Sequence, residues 1–550
     1  MKSSVNKRNL VANIKLYEIA ILLLIAVSLI TSCIIISNKK FFWNDELYSY
    51  YLLSDPSFSS MLAAFHDKIN GTPILYFALG WIWSKVFSST ELPLRLFSSF
   101  GLCLAHFYIW LTLRKTYSFW ATTISTLAVF CTSNLILTQN AEARMYGLFM
   151  LVVALGIYQY DYNNRVKELT RKFYISNILV HAAIVHTHLF GFFYSAAIIF
   201  SQIIVDIIQK KVRPRLYLSI VLGILSIIFY IPSFLIQSDV GNPRSWLPIP
   251  TLHDLIEFVS VPTPSFFRAS FLIAVLILGG YFSIFVNSIE SQKNSEINNG
   301  QNQQKSLLLV AYSFLMIPVA VWVASRLIKP IFWDRYVIPS SIGWCIILAH
   351  LISLLFPRFK EAGNRFVSTQ KNILLSVLAL LLLIQPITFA MQLPEPTYPG
   401  SQDNRYGYVE LPIVAQLSWQ FLERRYYSPE RNRYFFVLDW ETAIDDRSGL
   451  FGSQEYKHLE AIRRNYPESF ADSILESDAF LERFDRFLVL DYPDYDRVCS
   501  PVVYGLDRAK MWDGIHCPQW FEQRLMNNPQ YQVIPNPIGR EALFQMSFHQ

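Results

Sequence analysis

The sequence predicts an α-helical, polytopic membrane protein with a soluble α/β domain at its C-terminal end. Of its 550 residues, 53% are apolar and only 16% are charged, whereas soluble domains carry about 25% charged residues. The long apolar runs all lie before residue 395, and the remaining residues are rich in charged residues, Tyr and Pro. We therefore expect two domains, a membrane module of residues 1–394 and an α/β domain of residues 395–550.

Eleven apolar runs are long enough to cross a bilayer as helices, which takes about 20 residues. The first follows a basic N-terminus and has no small-residue cleavage site, so we interpret it as a retained helix. A twelfth run, 73–87, is shorter and predicts an interfacial or re-entrant helix. The eleven runs are 16–37, 92–113, 117–137, 142–160, 173–189, 190–208, 216–236, 266–288, 306–326, 336–356 and 372–392.

Basic residues predict the orientation of these helices, because short cytoplasmic loops collect Lys and Arg. If run 73–87 does not cross, every basic cluster between helices falls on the cytoplasmic side, including 114–115, 165–172 and 210–215. The N-terminus is then cytoplasmic. The loops 38–91, 138–142, 237–265 and 327–335 and the whole of 395–550 are extracytoplasmic.

The distribution of charge disfavours nucleic-acid binding, and most of the cysteines lie where packing roles are expected. The formal charge is +6 and no Lys/Arg stripe alternates with aromatic residues, so nothing favours nucleic-acid binding. Cys33, Cys103, Cys131 and Cys345 lie in apolar runs, where we expect packing roles. Two further cysteines at 499 and 517 either pair in an oxidising compartment or stay as thiols.

The first outer loop places two carboxylates, Asp45 and Glu46, directly after the aromatic run 41–43. Ionisable groups at the membrane surface are costly unless they are used. Apolar rings can raise a carboxyl pKa towards the range of a general base, so we expect a raised pKa here. The alternative is that these residues only cap an interfacial helix. A second amphipathic helix, 58–69, carries His66.

The other outward helix ends also carry polar groups. Glu142 and Arg144 lie in the second outer loop, where Glu142 and Asp45 can together bind a divalent cation, or Glu142 can simply pair with Arg144. Arg326, Lys329 and Arg335 suit an anionic phosphate, for which the planar guanidinium is well shaped. His66, His186 and His188 are candidates for acceptor or metal binding, with structural roles as the alternative.

These motifs, in this order and spacing, resemble the membrane glycosyltransferases of the GT-C fold, and most of all the dolichyl-phosphate-mannose-protein mannosyltransferase-like family, glycosyltransferase family 39. The resemblance covers roughly residues 17–350. It rests on Asp45-Glu46, on 70–76 (NGTPILY), on 94–96 (LRL), on 139–146 and on 186–188 (HTH). Many relatives carry His-Pro-Pro where this chain has Gly71-Thr72-Pro73.

The resemblance implies an inverting transfer of a sugar from a polyprenyl-phosphate donor to an acceptor on the outer side of a plasma (inner) membrane. It implies that Asp45 is the catalytic base, that Glu46 and Glu142 lie at the catalytic centre, and that Arg335 meets the donor phosphate, with Arg144 or Lys329 beside it. The sequence does not determine whether a divalent cation such as Mg²⁺ or Mn²⁺ is required. It also leaves undetermined which sugar is transferred and whether the acceptor is a protein, a lipid or a glycan.

Three alternatives remain from the sequence. A flippase or transporter would move a lipid-linked sugar without chemistry, although no internal repeat favours it. A polymerase or ligase would use a diphosphate donor, and a structural subunit would only present the C-terminal domain.

In the C-terminal domain we expect an amphipathic helix at 410–427 and buried strands at 434–438 and 487–490, in a parallel α/β arrangement.

Overall fold

The computed structural model describes residues 15–166, 168–238, 247, 249–259, 298–355, 365–403, 409–440, 452–491, 521, 525, 528–538 and 541–548. The predicted span 266–288 and the cysteines at 499 and 517 lie outside these residues. In the described part, Cys33, Cys103, Cys131 and Cys345 are free thiols, and all but the partly exposed Cys103 are buried, as their apolar surroundings predict.

The described part of the chain up to residue 392 is helical. The helices are α1 (Leu16–Asn38), α2 (Asn44–Ser54), α3 (Phe58–His66), α4 (Leu75–Phe87), α5 (Glu91–Arg114), α6 (Phe119–Phe130), α7 (Asn134–Asn140), α8 (Tyr146–Arg165), α9 (Arg171–Thr187), α10 (Gly191–Ile208), α11 (Pro214–Leu225), α12 (Ile231–Ser238), α13 (Leu252–Val259), α14 (Asn298–Leu327), α15 (Ser341–Leu355) and α16 (Arg365–Gln392). Two 3₁₀ helices, Ser226–Tyr230 and Asp334–Ser340, precede α12 and α15.

Seven described helices are long and apolar enough to cross a membrane, or eight if the bent pair α6 and α7 counts as one span. Many of their apolar side chains, such as Leu23, Leu374 and Phe229, are exposed on the outside of the bundle. Such a surface is suited to contact with the hydrocarbon core of a bilayer. The chain is therefore a multi-pass membrane protein. The structure differs from the eleven predicted spans at α8 and α9, which are helices but do not meet this test. The run 73–87, predicted as an interfacial or re-entrant helix, forms the short helix α4.

A sharp bend between α6 and α7 positions the second loop. The two helices meet at 72°, and the hydroxyl of Ser133 accepts the Ile136 N–H at 3.3 Å to begin α7. The amide of Asn140, the last residue of α7, donates to the Leu29 carbonyl of α1 at 2.8 Å. The loop 141–145 is thereby held next to the end of α1 and the start of α2.

Two glycines allow α5 and α8 to pack in backbone contact. A Cβ atom at Gly101 of α5 would lie 2.6 Å from the carbonyl carbon of Gly147 in α8, far inside van der Waals contact. Such close approach is typical of helix pairs in membranes. It brings the start of α8, which follows the second loop, against the N-terminal half of α5.

We expect Gly101→Ala to lower the free energy of unfolding by about 1 to 3 kcal/mol, because the added methyl group meets backbone that cannot move aside. Gly71→Ala is the matched control, since a Cβ there meets no atom within 4 Å. Thermal unfolding of both variants in detergent measures the difference. Equal stability of the two variants would contradict the close packing.

The described residues after 409 form a mixed sheet with helices. Its strands are β1 (Ile413–Ala415), β2 (Tyr434–Leu438), β3 (Ile474–Glu476), β4 (Arg486–Asp491), β5 (Tyr531–Ile538) and β6 (Glu541–Phe548), in the order β3-β2-β1-β4-β6-β5. Strands β1 to β4 pair in parallel, while β6 pairs antiparallel with β4 and β5. The helices here are α17 (Ser418–Tyr427), α18 (Gly452–Asn465), α19 (Pro467–Phe470) and α20 (Ser477–Arg483).

The strands at 434–438 and 486–491 coincide with the two predicted from sequence. The helix predicted over 410–427 is shorter, because 413–415 is a fully buried strand and the helix begins only at Ser418. Both ends of this helix contact residues 42–44: the hydroxyl of its last residue, Tyr427, accepts the Phe42 N–H at 2.7 Å, and its first residue, Ser418, donates to Asn44 Oδ1 at 3.1 Å. The C-terminal segment therefore contacts the start of α2 directly.

Candidate active site

The first loop is anchored by a fully buried ion pair. The guanidinium of Arg95 in α5 donates from Nε and Nη2 to the two oxygens of Glu46, both at 2.9 Å, and neither side chain is exposed. Arg95 also donates to the carbonyls of Lys40 and Phe41, at 2.7 and 2.9 Å. In the second loop, the Ala143 N–H donates to Glu46 Oε1 at 2.8 Å. Glu46 thus ties α2, α5 and the second loop together.

This arrangement differs from the expected catalytic role of Glu46. Both of its oxygens are used inside the protein, so the carboxylate faces no open space where a substrate can lie. Burial raises the pKa of Glu46, but the adjacent guanidinium of Arg95 outweighs it and the net pKa is lowered. Glu46 is placed as a structural anchor for its neighbour Asp45.

We expect Arg95→Leu to cost about 3 to 5 kcal/mol of stability, because it leaves the Glu46 carboxylate buried and unpaired. The matched control is Arg463→Leu in α18, since Arg463 pairs with Glu476 at 2.9 Å and the two side chains are 25% and 52% exposed. Partly exposed pairs contribute about 1 kcal/mol or less. Unfolding in detergent compares the two variants, and equal losses would show that the buried pair is not an anchor.

Asp45 lies between two arginines that come from different parts of the chain. Arg335, in the 3₁₀ helix Asp334–Ser340, donates from Nη2 to Asp45 Oδ2 at 2.9 Å. Arg144 of the second loop places Nη2 3.6 Å from the same oxygen, and its Nη1 donates to the Asp45 carbonyl and the Ser49 hydroxyl. Asp45 Oδ1 has no partner among the described residues, and the side chain is 22% exposed.

The expected increase in the pKa of Asp45 is wrong. Burial does raise the pKa, but Arg144 and Arg335 together outweigh burial and hold it below its ordinary value of 3.8. The aromatic residues beside Asp45 in the sequence favour a raised pKa, but the two guanidinium groups, which come from distant parts of the chain, have the larger effect. With no ligand bound, Asp45 is therefore an ionised carboxylate and a weak base.

Glu142 and Lys40 form a second ion pair near these groups. Lys40 Nζ lies 2.9 Å from Glu142 Oε1, and the Glu142 side chain is only 6% exposed. The Glu142 side chain does not pair with the Arg144 side chain, which was the alternative prediction. The two residues are joined only through their backbones, by a hydrogen bond of 2.8 Å from the Arg144 N–H to the Glu142 carbonyl. Lys40 Nζ also lies 5.9 Å from the centre of the Trp43 ring.

Several buried polar atoms around Asp45 have no hydrogen-bond partner within the described part of the chain. Arg335 links them, because its guanidinium lies over the rings of Trp43 and Tyr146, at 5.2 and 5.8 Å. Buried polar groups are nearly always satisfied, by protein, water or ligand. Several buried polar atoms without hydrogen-bond partners at one place therefore indicate a site for a polar ligand. These atoms are Trp43 Nε1, Glu142 Oε2, Arg144 Nε, Tyr146 Oη and Arg335 Nε.

The residues do not fit a divalent cation here. Each carboxylate is already paired with a cationic side chain, and no group of three His, Cys, Asp or Glu side chains in the described ranges is arranged to hold a metal. Three cations against two carboxylates suit an anion better. No step below is therefore assigned to Mg²⁺ or Mn²⁺.

His188 borders the site, but His186 and His66 do not. The His188 ring packs against Tyr146 and Tyr336, and its Nδ1 accepts the Phe190 N–H at 3.1 Å. Burial, with Arg144 and Arg335, lowers the pKa of His188 to about 3, so the ring is neutral. His186 binds the Ser226 carbonyl at 3.1 Å, and His66 is exposed and bonds to Ser233.

Lys329 lies apart from Arg144 and Arg335, which were also predicted to bind phosphate. Its side chain is exposed, and no contact with Asp45, Arg144 or Arg335 is present among the described residues. The structure also brings in residues that were not predicted to belong to the site. Lys40, Trp43 and Tyr146 lie within a few positions of predicted residues, whereas His458 of α18 interacts electrostatically with Asp45 from far along the chain.

Two solved structures share this fold. They are ArnT from Cupriavidus metallidurans in the apo state, with a TM-score of 0.55 and 11% identity, and the same protein bound to undecaprenyl phosphate, with a TM-score of 0.52 and 12% identity. Both alignments cover 96% of this chain and 98% of the ArnT chain. The predicted GT-C fold is confirmed.

At this identity the likeness shows the fold alone, and membership of glycosyltransferase family 39 stays a prediction. The archaeal oligosaccharyltransferase AglB from Archaeoglobus fulgidus is also similar, with a TM-score of 0.43 and 12% identity over 86% of this chain and 69% of that chain. That score is too low to carry an argument. No protein-family profile and no curated protein matches the sequence.

Proposed function

We propose that this chain is a glycosyltransferase that moves a sugar from a polyprenyl-phosphate donor to an acceptor hydroxyl on the extracytoplasmic side of a plasma (inner) membrane. The observation that carries the proposal is the set of buried, unpartnered polar atoms around Asp45, Arg144 and Arg335. Two guanidinium groups with unused Nε–H donors match the oxygens of a phosphate. In the ArnT structure of the same fold, the bound molecule is undecaprenyl phosphate.

A small apolar cavity of about 10 Å³ lies next to the 3₁₀ helix that carries Arg335, and its apolar lining would suit the start of a prenyl chain. Its lining includes Ile338 and Ser340 of the 3₁₀ helix that carries Arg335, together with Ile136, Phe258, Leu315 and Trp344. Ile338 follows Arg335 by three residues, one turn of a 3₁₀ helix. A phosphate held by the arginines would therefore place its first prenyl units at this apolar lining.

The proposed reaction is a single displacement. Asp45 Oδ1 accepts the proton of the acceptor hydroxyl, whose oxygen forms the new bond to the anomeric carbon. The bond from that carbon to the phosphate oxygen breaks, and polyprenyl phosphate leaves with the electron pair. Because attack comes from the side opposite the leaving group, the anomeric configuration inverts. Arg335 and Arg144 stabilise the charge that develops on the phosphate.

Donor binding would also strengthen the base. In the empty site, the two arginines lower the pKa of Asp45. A phosphate that takes up their hydrogen bonds brings negative charge next to the carboxylate, which raises its pKa. Asp45 would then become a better proton acceptor only when the donor is in place.

The test uses the full chain in lipid nanodiscs with a radiolabelled undecaprenyl-phosphate sugar and a membrane extract as acceptor pool. We expect the label to leave the lipid fraction and to appear in acceptor material. A donor with a diphosphate link is the matched comparison. Transfer from the diphosphate alone would favour a polymerase or ligase, and translocation of the lipid without loss of label would favour the flippase.

A further inference from the structure

Tyr146, the first residue of α8, carries a buried hydroxyl group beside Arg335. Its side chain has no exposed surface, and Oη has no hydrogen-bond partner among the described residues. The centre of its ring lies 5.8 Å from the Arg335 guanidinium, which donates to Asp45 Oδ2 at 2.9 Å. Only the Arg335 guanidinium therefore links Tyr146 to the proposed base.

The hydroxyl end of this side chain also lies near the two arginines. The phenolic oxygen is the ionisable atom of a tyrosine, and Tyr146 interacts electrostatically with Arg335, Arg144 and Asp45. Its effect on Arg335 is larger than that of Asp45, although Asp45 is hydrogen-bonded to that guanidinium. Oη is therefore close to Arg335 without being bonded to it.

The unpartnered groups near Oη define what it can bind. A buried hydroxyl without a hydrogen bond costs free energy, which a ligand or a water molecule recovers. The Nε–H groups of Arg144 and Arg335 are also unpartnered within the described ranges, and a guanidinium donates but never accepts. A single ligand that satisfies all three groups must present several acceptor atoms close together. The nonbridging oxygens of a phosphate diester do so, and since they carry no hydrogen, the hydroxyl is the donor.

We propose that Tyr146 is a ligand of the donor phosphate, and that its Oη–H donates a hydrogen bond to a nonbridging oxygen beside the Nε–H of Arg335. This inference rests on the proposed function and adds a neutral hydrogen-bond donor to its two arginines. The ring of the same side chain attracts the Arg335 guanidinium through a cation–π interaction. Tyr146 thus positions Arg335 with its ring and binds the phosphate with its hydroxyl.

Tyr146→Phe separates these two roles, because it removes the hydroxyl and keeps the ring. The matched control is Tyr117→Phe, since the Tyr117 hydroxyl is also buried and unpartnered in the described part of the chain. Tyr117 follows the far end of α5, at least about 28 Å along the helix from Arg95, which anchors the first loop. Each variant is prepared as the full chain in nanodiscs. We measure its affinity for undecaprenyl phosphate without a sugar and its thermal unfolding in the empty state.

We expect Tyr146→Phe to weaken the binding of undecaprenyl phosphate about 10- to 100-fold, the usual effect of losing one hydrogen bond to a charged group. Without lipid, this variant should be at least as stable as the native chain, because a buried hydroxyl without a partner has been removed. Tyr117→Phe should show the same stability and keep the native affinity for the lipid.

Two results would overturn the inference. Native affinity for undecaprenyl phosphate in Tyr146→Phe would show that the hydroxyl does not bind the phosphate, whatever its effect on the KM for the sugar-bearing donor. Weaker binding together with a lower unfolding temperature of the empty variant would show that the hydroxyl is structural. The proposed function fails separately: if lipid binding depends on Tyr146 but the native chain releases no sugar, the phosphate contact stands and the transfer reaction does not. A native chain that does not bind undecaprenyl phosphate overturns both.

Discussion

Replacing Asp45 with Asn is expected to lower the rate of sugar transfer by at least about 100-fold, the usual contribution of a positioned general base. The amide keeps the size of the carboxylate but cannot take the proton from the acceptor hydroxyl. The measurement is release of label from undecaprenyl-phosphate sugar by the full chain in nanodiscs. The control is Glu395→Gln, because Glu395 is 81% exposed and lies 3.6 Å from Lys39 at the same membrane end.

The pH dependence follows from the lowered pKa of Asp45. A carboxyl group with a depressed pKa stays ionised above its ordinary range and is protonated only as the pH falls through the lowered value. The pH profile of kcat/KM reports the groups of the free enzyme, so we expect it to show no acidic limb from Asp45 between about pH 5 and pH 8. A native kcat/KM that falls tenfold per pH unit in that range would contradict the pairing of Asp45 with the two arginines.

Replacing Arg335 with Gln is expected to reduce transfer by about 100- to 1000-fold, in the range measured when one group that stabilises developing negative charge is removed. It removes the donor that bonds Asp45 Oδ2 at 2.9 Å and the unpartnered Nε–H proposed to hold the phosphate. The KM for the donor should rise as well. Arg335→Lys should recover only part of the loss, because an ammonium group lacks the planar fork.

Arg326→Gln provides the matched control. Arg326 lies at the end of α14 nearest to Arg335 in sequence, is exposed, and donates to the Pro250 carbonyl at 2.8 Å. Its replacement removes one positive charge from the same region without touching Asp45. If the two variants lose the same amount of activity, Arg335 acts only through the general electrostatic field and not through contact with the phosphate.

The general fold could be predicted because membrane helices follow from long apolar runs. The short run 73–87 was separated from the spans by its length, and it forms the 13-residue helix α4; that α4 does not cross the membrane stays a prediction. The break of run 117–137 into α6 and α7 was not predicted, because it depends on Ser133 capping the second helix and on Asn140 bonding to α1. Neither contact has a signature in apolar periodicity.

The different environments of the adjacent residues Asp45 and Glu46 were not predicted from the sequence. Adjacent residues on a helix point about 100° apart, so one carboxylate faces the site and the other faces α5. The signal that could have separated them is Arg95, an ionisable residue inside an apolar run, which the structure pairs with Glu46. For His458 no local signal exists, because its place depends on how the C-terminal segment packs.

The central claim is that Asp45 and the donor phosphate share Arg335 and Arg144 in one site. The most direct test measures the affinity for undecaprenyl phosphate and the single-turnover transfer rate on the same preparation of Asp45→Asn. We expect transfer to be lost while the lipid binds at least as tightly as to the native chain, because the arginines no longer pair with a carboxylate. Weaker lipid binding in this variant, or transfer at the native rate, would contradict the claim.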